Sequence, residues 1–298
     1  MKKKIIIGII SILFLVISII AAVTLYNNSK YTTLVQLSPQ GIRQMMSYLI
    51  KTNTGKIILI DSGTKEDADN LLKYIKENGN KVDYWFLTHA HDDHVGAFTK
   101  IVNETDIKID NIYVSVNEIE WYEKNEELRV EFTKEFINTL KSEKIKNIVK
   151  EPYVGQIINI DNLEIEILGI RNTEIIENAG NEQSMVFTIN TGKTKLLILG
   201  DTGEKSGEKL LNTKKEKLKS DIVQMAHHGQ QGVTEEFYKV VNPKICLWPT
   251  PEWLWNNDIG DGINTGPWKT LDTREWIEKL NITKNYIAKD GDITVKIK

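Results

Sequence analysis

Three imidazoles and two carboxylates fall within six residues, His89-Ala90-His91-Asp92-Asp93-His94, directly after the apolar run Tyr84-Trp85-Phe86-Leu87. The chain holds five histidines, and the other two are the adjacent pair His227-His228. Imidazole and carboxylate are the donors of zinc, manganese and iron sites, so histidines confined to two tight clusters point to metal chemistry. Side chains at i and i+2 of an extended segment point the same way, which lets His89 and His91 face one ion as the strand ends. Asp93 and His94 follow at once, where Gly96 suggests a turn, and are placed to face a second ion nearby.

Such residues need strands that stop at one edge, and the surrounding sequence supplies them. Met46–Leu49 and Lys56–Asp61 read as a hairpin around Asn53-Thr54-Gly55. Thr64 with Asp67 reads as a helix start, and Ala68, Leu71, Leu72 and Ile75 then fall at helical spacing until Asn78-Gly79. Between Asn117 and Ile148, Leu128, Phe132, Phe136 and Leu140 mark one face of a charged helical region, expected to pack on the core. Leu163–Ile167 alternates as a half-exposed strand does. A partial echo of the first hairpin follows. Asn190-Thr191-Gly192-Lys193 repeats the four letters at Asn53–Lys56, and each copy feeds an apolar strand ending in aspartate, Asp61 or Asp201. Two related halves are expected, each a sheet with helices on its outer face.

The remaining chemistry lies at the same ends. Asp201, where a strand stops, can bridge two ions, although a helix cap is the plain alternative. Ile222–Ala226 reads as a strand that delivers His227-His228-Gly229. Neighbouring side chains on an extended segment diverge, so one histidine should face metal and the other the substrate. Position at the strand end assigns His227 to the metal and His228 to the substrate. Asp61 is placed to orient a ligand histidine through that ring's other nitrogen.

Composition frames the rest. With 298 residues and a net charge of -3, the chain has no polyanion-binding signature, so charge does not indicate a nucleic-acid partner. Cys246 is the only cysteine, which excludes an internal disulfide. Lys2, Lys3 and Lys4 precede an uncharged run from Ile5 to Leu25, about long enough to cross a bilayer. The expected organisation is a cytoplasmic N-terminus at 1–4, a membrane anchor at 5–25, a linker at 26–33, and an outward-facing domain at 34–298. A cleaved signal peptide ending near Ala21-Ala22-Val23 is the alternative.

His89-Ala90-His91-Asp92-Asp93-His94 resembles the HxHxDH signature of the metallo-β-lactamase superfamily. Asp61-Ser62-Gly63, Leu199-Gly200-Asp201 and Ala226-His227-His228-Gly229 fall in the order of that family's other motifs. The resemblance covers about 33–298 and implies an α/β fold, an αββα sandwich with a dinuclear zinc site. It implies that His89 and His91 hold the first ion, that Asp93 and His227 hold the second with His94 beside them, and that Asp201 bridges. The His-His-Gly ending is similar to the hydrolase domain of bacterial DNA-uptake channel proteins and to phosphorylcholine esterases of bacterial surfaces. One departure stands out. Many members place another histidine between the first cluster and the bridging aspartate, where this chain has Asn181-Glu182-Gln183-Ser184.

The ligand set predicts a metal-dependent hydrolase that uses one or two Zn2+ ions (Mn2+ is the alternative), with Asp93 and His228 as catalytic groups. A metal ion acidifies its water to near neutrality, and two ions clamp the attacking and leaving oxygens of a displacement. Phosphodiesters suit such a site, and a small molecule or an envelope polymer is the expected substrate. A lactonase or β-lactamase-like hydrolase is the enzymatic alternative, and a surface binding protein with an impaired site the non-enzymatic one. Trp248, Trp253, Trp255 and Trp268 lie among prolines and glycines that read as a long ordered loop, either an aromatic wall beside the metals or a satellite core.

Overall fold

The computed structural model describes residues 13–19 and 31–297. The helical residues 13–19 are all exposed, among them Leu13, Phe14 and Ile17. Most of the run read as an anchor lies outside the described residues. Among the described residues no helix is long and apolar enough to cross a membrane.

Two seven-stranded sheets carry the fold. In the first, β1 (Thr32–Gln36), β2 (Ser47–Lys51) and β3 (Ile57–Asp61) run antiparallel. The start of β1 lies inside the stretch read as a linker. After β4 (Lys81–Val82), strand β5 (Tyr84–Leu87) lies parallel to β3. β6 (Lys108–Ile109) pairs with β4 outside the main sheet. β7 (Ile112–Val114) and β8 (Val149–Lys150) extend the parallel side.

The second sheet repeats this plan. β9 (Ile157–Ile160), β10 (Leu163–Gly169), β11 (Val186–Asn190) and β12 (Lys195–Ile198) are antiparallel. β13 (Ile222–Gln224), β14 (Ile245–Trp248) and β15 (Lys284–Ile287) then follow in parallel. The last strand, β16 (Ile293–Ile297), crosses back to pair with β1 at the edge of the first sheet.

Burial explains why the sheets stack. Tyr48, Ile58, Ile60 and Phe86 from the first sheet and Ile165, Phe187, Ile189, Leu196 and Ile198 from the second share one buried cluster. Strand side chains alternate, so the same strands send Leu59, Trp85 and Leu87 to an outer core with the helices Ala68–Glu77, Asp92–Glu104 and Val130–Leu140. Leu197, Val223 and Cys246 likewise meet Leu210 and Leu218 of the helix Glu204–Leu218 and Phe237 of Glu235–Val241. This is the expected four-layer α/β sandwich.

Local chemistry sets the elements that matter for the site. The Asp67 carboxylate accepts from the Thr64 N–H at 2.8 Å and the Thr64 hydroxyl at 2.6 Å, as the start signal predicted. Gly96 makes no turn. It lies inside the helix Asp92–Glu104, where a Cβ would stand 2.7 Å from the Lys65 nitrogen, so glycine permits the close approach of two backbones. The stripe beginning at Leu128 is shorter than its periodicity suggested. The helix starts at Val130, and Leu128, in a preceding 3-10 turn, is fully exposed. The four tryptophans divide two and two. Trp248 on β14 is buried and meets Trp255 edge-on at 5.1 Å, whereas Trp253 and Trp268 pair at 4.8 Å beside an open cavity.

Candidate metal centre

β5 stops at Leu87, and the next turn of chain delivers the first donors before the helix begins at Asp92. His91 stands at the helix N-cap, and Asp93 and His94 occupy its first turn. From the second sheet, Asp201 follows β12 through Gly200, whose φ of 55° is the left-handed region that glycine adopts without strain. A Cβ on Gly200 would meet Ser184 Oγ at 2.9 Å, so the bend is tight against the opposite strand end.

Two groups of buried donors result. Asp93, His94, Asp201 and His228 have ligand atoms within 4.8 Å of one another, as do His89, His91 and Asp201. Asp201 belongs to both. His94 Nε2 lies 3.1 Å from Asp201 Oδ1 and 3.2 Å from His228 Nε2, and His228 Nε2 lies 3.3 Å from Asp93 Oδ2 and 3.4 Å from Asp201 Oδ2.

The outer partners explain which nitrogens face inward. His94 Nδ1–H donates to Asp61 Oδ2 at 2.7 Å, as expected of Asp61. Asp61 also accepts from the Thr88 N–H and hydroxyl, both at 2.7 Å. The Thr88 oxygen lies 3.1 Å from His89 Nδ1. His228 Nδ1–H donates to the Pro249 carbonyl at 2.8 Å. Each of these three rings therefore turns its Nε2 toward the cleft.

The adjacent histidines fall in the opposite arrangement to the one expected from sequence. His228 joins the donor group and His227 does not. The physical reason is the backbone. His227 (φ 49°, ψ 51°) and His228 (φ 54°, ψ 21°) are both left-handed, so the extended-strand rule for neighbouring side chains does not apply. Gly229, also at positive φ, packs where a Cβ would stand 2.5 Å from the Trp248 ring. His227 Nε2 lies 3.9 Å from Asp201 Oδ2 and 3.2 Å from Asn181 Nδ2, and its Nδ1 lies 3.3 Å from the Gln231 carbonyl.

Electrostatics sharpen the contrast between the donors. Burial opposes the charge on Asp93, yet His228 and His94 hold its carboxyl well below the usual range. The same competition, won by His94 and His228, lowers Asp201. Burial depresses His228, but Asp201 and Asp93 push it up to about 9. His94 is likewise raised by Asp201 and Asp61 against burial. His89 is lowered, first by burial and then by the neighbouring His94 and His91.

The donor set fits a divalent metal ion. His89 Nε2 and Asp93 Oδ1 are buried without a hydrogen-bond partner, a cost that a bound cation removes. Two imidazole nitrogens 3.2 Å apart, flanked by two carboxylates, form a nest suited to a cation.

Sequence reading missed several neighbours. Gln44 Nε2 donates to Asp93 Oδ2 at 2.9 Å, and Gln230 Nε2 donates to Gln44 Oε1 at 3.1 Å. Glu126 Oε1 lies 2.5 Å from His91 Nε2. Arg43 and Arg129 both reach Asp92, at 2.6 and 2.8 Å, and line a cavity of about 760 Å³ with Asp93, Trp253 and Trp268. None of these has a local sequence signal, because they reach the site from three separate segments, Arg43-Gln44, Glu126–Arg129 and Gln230.

A profile described as "Metallo-beta-lactamase superfamily" matches residues 41–280. The chain is 25% identical over 186 residues to ComE operon protein 3 of Bacillus subtilis, covering 59% of this chain and 21% of that protein. It is 24% identical over 226 residues to Recombination protein 2 of Haemophilus influenzae, covering 73% of this chain and 24% of that protein. It thus spans less than a quarter of either relative, and both support the branch read from His-His-Gly. The metallo-beta-lactamase fold protein YhfI from Bacillus subtilis shares the fold at 14% identity, with a TM-score of 0.54 over 89% of this chain and 100% of that one.

Proposed function

The chain belongs to the metallo-beta-lactamase superfamily, and from that premise we propose that it is a zinc-dependent phosphodiesterase acting on an envelope or extracellular substrate. The observation that carries this reading is the sharing of Asp201 by two buried donor groups, an arrangement suited to two ions. In this proposal Asp93, His94 and His228 would hold one ion and His89 and His91 the other, with Asp201 common to both donor groups. Bound zinc would acidify a water molecule and polarise a phosphoryl oxygen.

The chain's own residues favour an anionic ester. Arg43 and Arg129 are half-exposed at the mouth of the cavity, where both reach Asp92 and where Asp93 and Asp258 also line the wall. Guanidinium forks pair well with phosphoryl oxygens. Trp253 donates its indole N–H to the Ile42 carbonyl at 2.7 Å, which fixes one ring of the Trp253–Trp268 pair as a wall for an apolar or planar substituent. His227 stands outside both donor groups, its Nε2 beside the Asn181 amide nitrogen, and in this reading it takes the leaving-group role that the sequence assigned to its neighbour.

Protein supplied with zinc should hydrolyse bis(4-nitrophenyl) phosphate. His227→Ala should keep its zinc and lose about two to four orders of magnitude in rate on an alkyl phosphodiester. It should lose much less on a nitrophenyl ester, whose leaving group hardly needs a proton. A protein that opens lactones but cleaves no phosphodiester would be a lactonase instead, and one that cleaves neither would fit a surface binding protein.

Residues 5–25 are proposed as the anchor and 34–298 as the outward domain, on the strength of the uncharged run behind Lys2, Lys3 and Lys4. Protease added to intact cells should digest the domain. Lasting protection would reverse the orientation.

A further inference from the structure

His91 is held differently from every other histidine of the donor groups. His89, His94 and His228 are gripped at Nδ1, by Thr88, Asp61 and Pro249, and present Nε2. His91 is gripped at Nε2, 2.5 Å from Glu126 Oε1, which leaves Nδ1 as its remaining donor atom.

The Glu126 contact is built rather than incidental. Glu126 sits where the helix Ile119–Asn125 breaks into the 3-10 turn Glu127–Arg129, and its N–H is tied to the Tyr122 carbonyl at 2.8 Å. Gly180 closes over the pair. A Cβ there would lie 2.2 Å from His91 Nε2 and 2.3 Å from Glu126 Oε1, so only glycine leaves room for the two side chains to meet. Glu126 Oε2 is buried without a hydrogen-bond partner, and the nearest guanidinium nitrogen, Arg129 Nε, is 4.0 Å from Oε1. The His91 ring supplies the hydrogen bond that Glu126 Oε1 makes. Glu126 is absent from the compact donor group of His89, His91 and Asp201, which argues for a partner of the ligand rather than a ligand.

We propose that Glu126 is a positioning residue that accepts the His91 Nε2–H, fixes the ring's tautomer and turns Nδ1 toward the metal. The role rests on the metal reading above. It also bears on the histidine this chain lacks in the Asn181–Ser184 region. An ion with one protein ligand fewer depends more on how firmly the remaining ligands are held, and a carboxylate behind His91 both orients the ring and raises its basicity.

The test uses histidine-labelled protein loaded with zinc. In the wild type, nitrogen NMR should show His91 protonated at Nε2 and metallated at Nδ1, with His89, His94 and His228 in the opposite state. Chelator competition should show that Glu126→Ala weakens one zinc by about 10- to 100-fold and leaves the other unchanged. Glu126→Gln, which keeps an acceptor oxygen, should recover most of the loss. Zinc on His91 Nε2, unchanged affinity in Glu126→Ala, or equal weakening of both ions in a folded variant would each overturn the proposal. Should Glu126→Ala fail to fold, the wild-type spectrum and Glu126→Gln decide the matter. A wild type that takes up no zinc would sink the metal reading and this role with it, an outcome distinct from zinc bound with Glu126 indifferent.

Discussion

The two halves of the molecule each bring an aspartate after the same motif, Asp61 as the last residue of β3 and Asp201 just past the end of β12, and use it in opposite ways. Each half runs a hairpin through Asn-Thr-Gly-Lys into an apolar strand, β3 or β12, and each chain end then bends through positive φ, at Asp61 itself or at Gly200. Asp61 is saturated by Thr88 and His94 and lies behind the site, where burial raises its carboxyl. Asp201 lies in front, among imidazoles that lower its carboxyl against the same burial. A single ring joins them, since His94 gives Nδ1 to Asp61 and Nε2 to Asp201. Topology brings a carboxylate to the edge, and the partners it meets there decide whether it faces the cation or supports a group that does.

The comparison is broken most severely at Asp201. Asp201→Asn should drop hydrolysis to background and reduce zinc at both donor groups, because the lost charge is common to them. Asp61→Asn should do less, weakening the ion held with His94 by about 10- to 100-fold while leaving turnover measurable at saturating zinc. Zinc titration with activity on the same samples checks both. Equal losses in the two variants would erase the distinction between the halves.

Much of this was legible before any coordinates. Period-two alternation, the hairpin turns and the Thr64–Asp67 start are local signals, and the sandwich follows from them. His89, His91, Asp93 and His94 lie close together because all four fall within six consecutive residues. The choice between His227 and His228 was not legible, since it turns on two left-handed residues that an extended-strand rule does not foresee. Gly229 was the available signal, because glycine after a histidine pair marks a turn rather than a continuing strand. Glu126 gave no signal at all. It is 35 residues from His91 in sequence and reaches it only because a helix breaks and Gly180 makes way. The tryptophans show a third limit. Their clustering in sequence hid a division between buried Trp248 and cavity-lining Trp253 and Trp268, which depends on where β14 ends.

Zinc stoichiometry by mass spectrometry in the wild type, His228→Ala and His227→Ala tests most directly the claim that the halves converge on one metal centre through His228. The account predicts zinc in the wild type, loss of the ion held with Asp93 and His94 in His228→Ala, and wild-type content in His227→Ala. Retention of zinc by His228→Ala together with its loss from His227→Ala would contradict it.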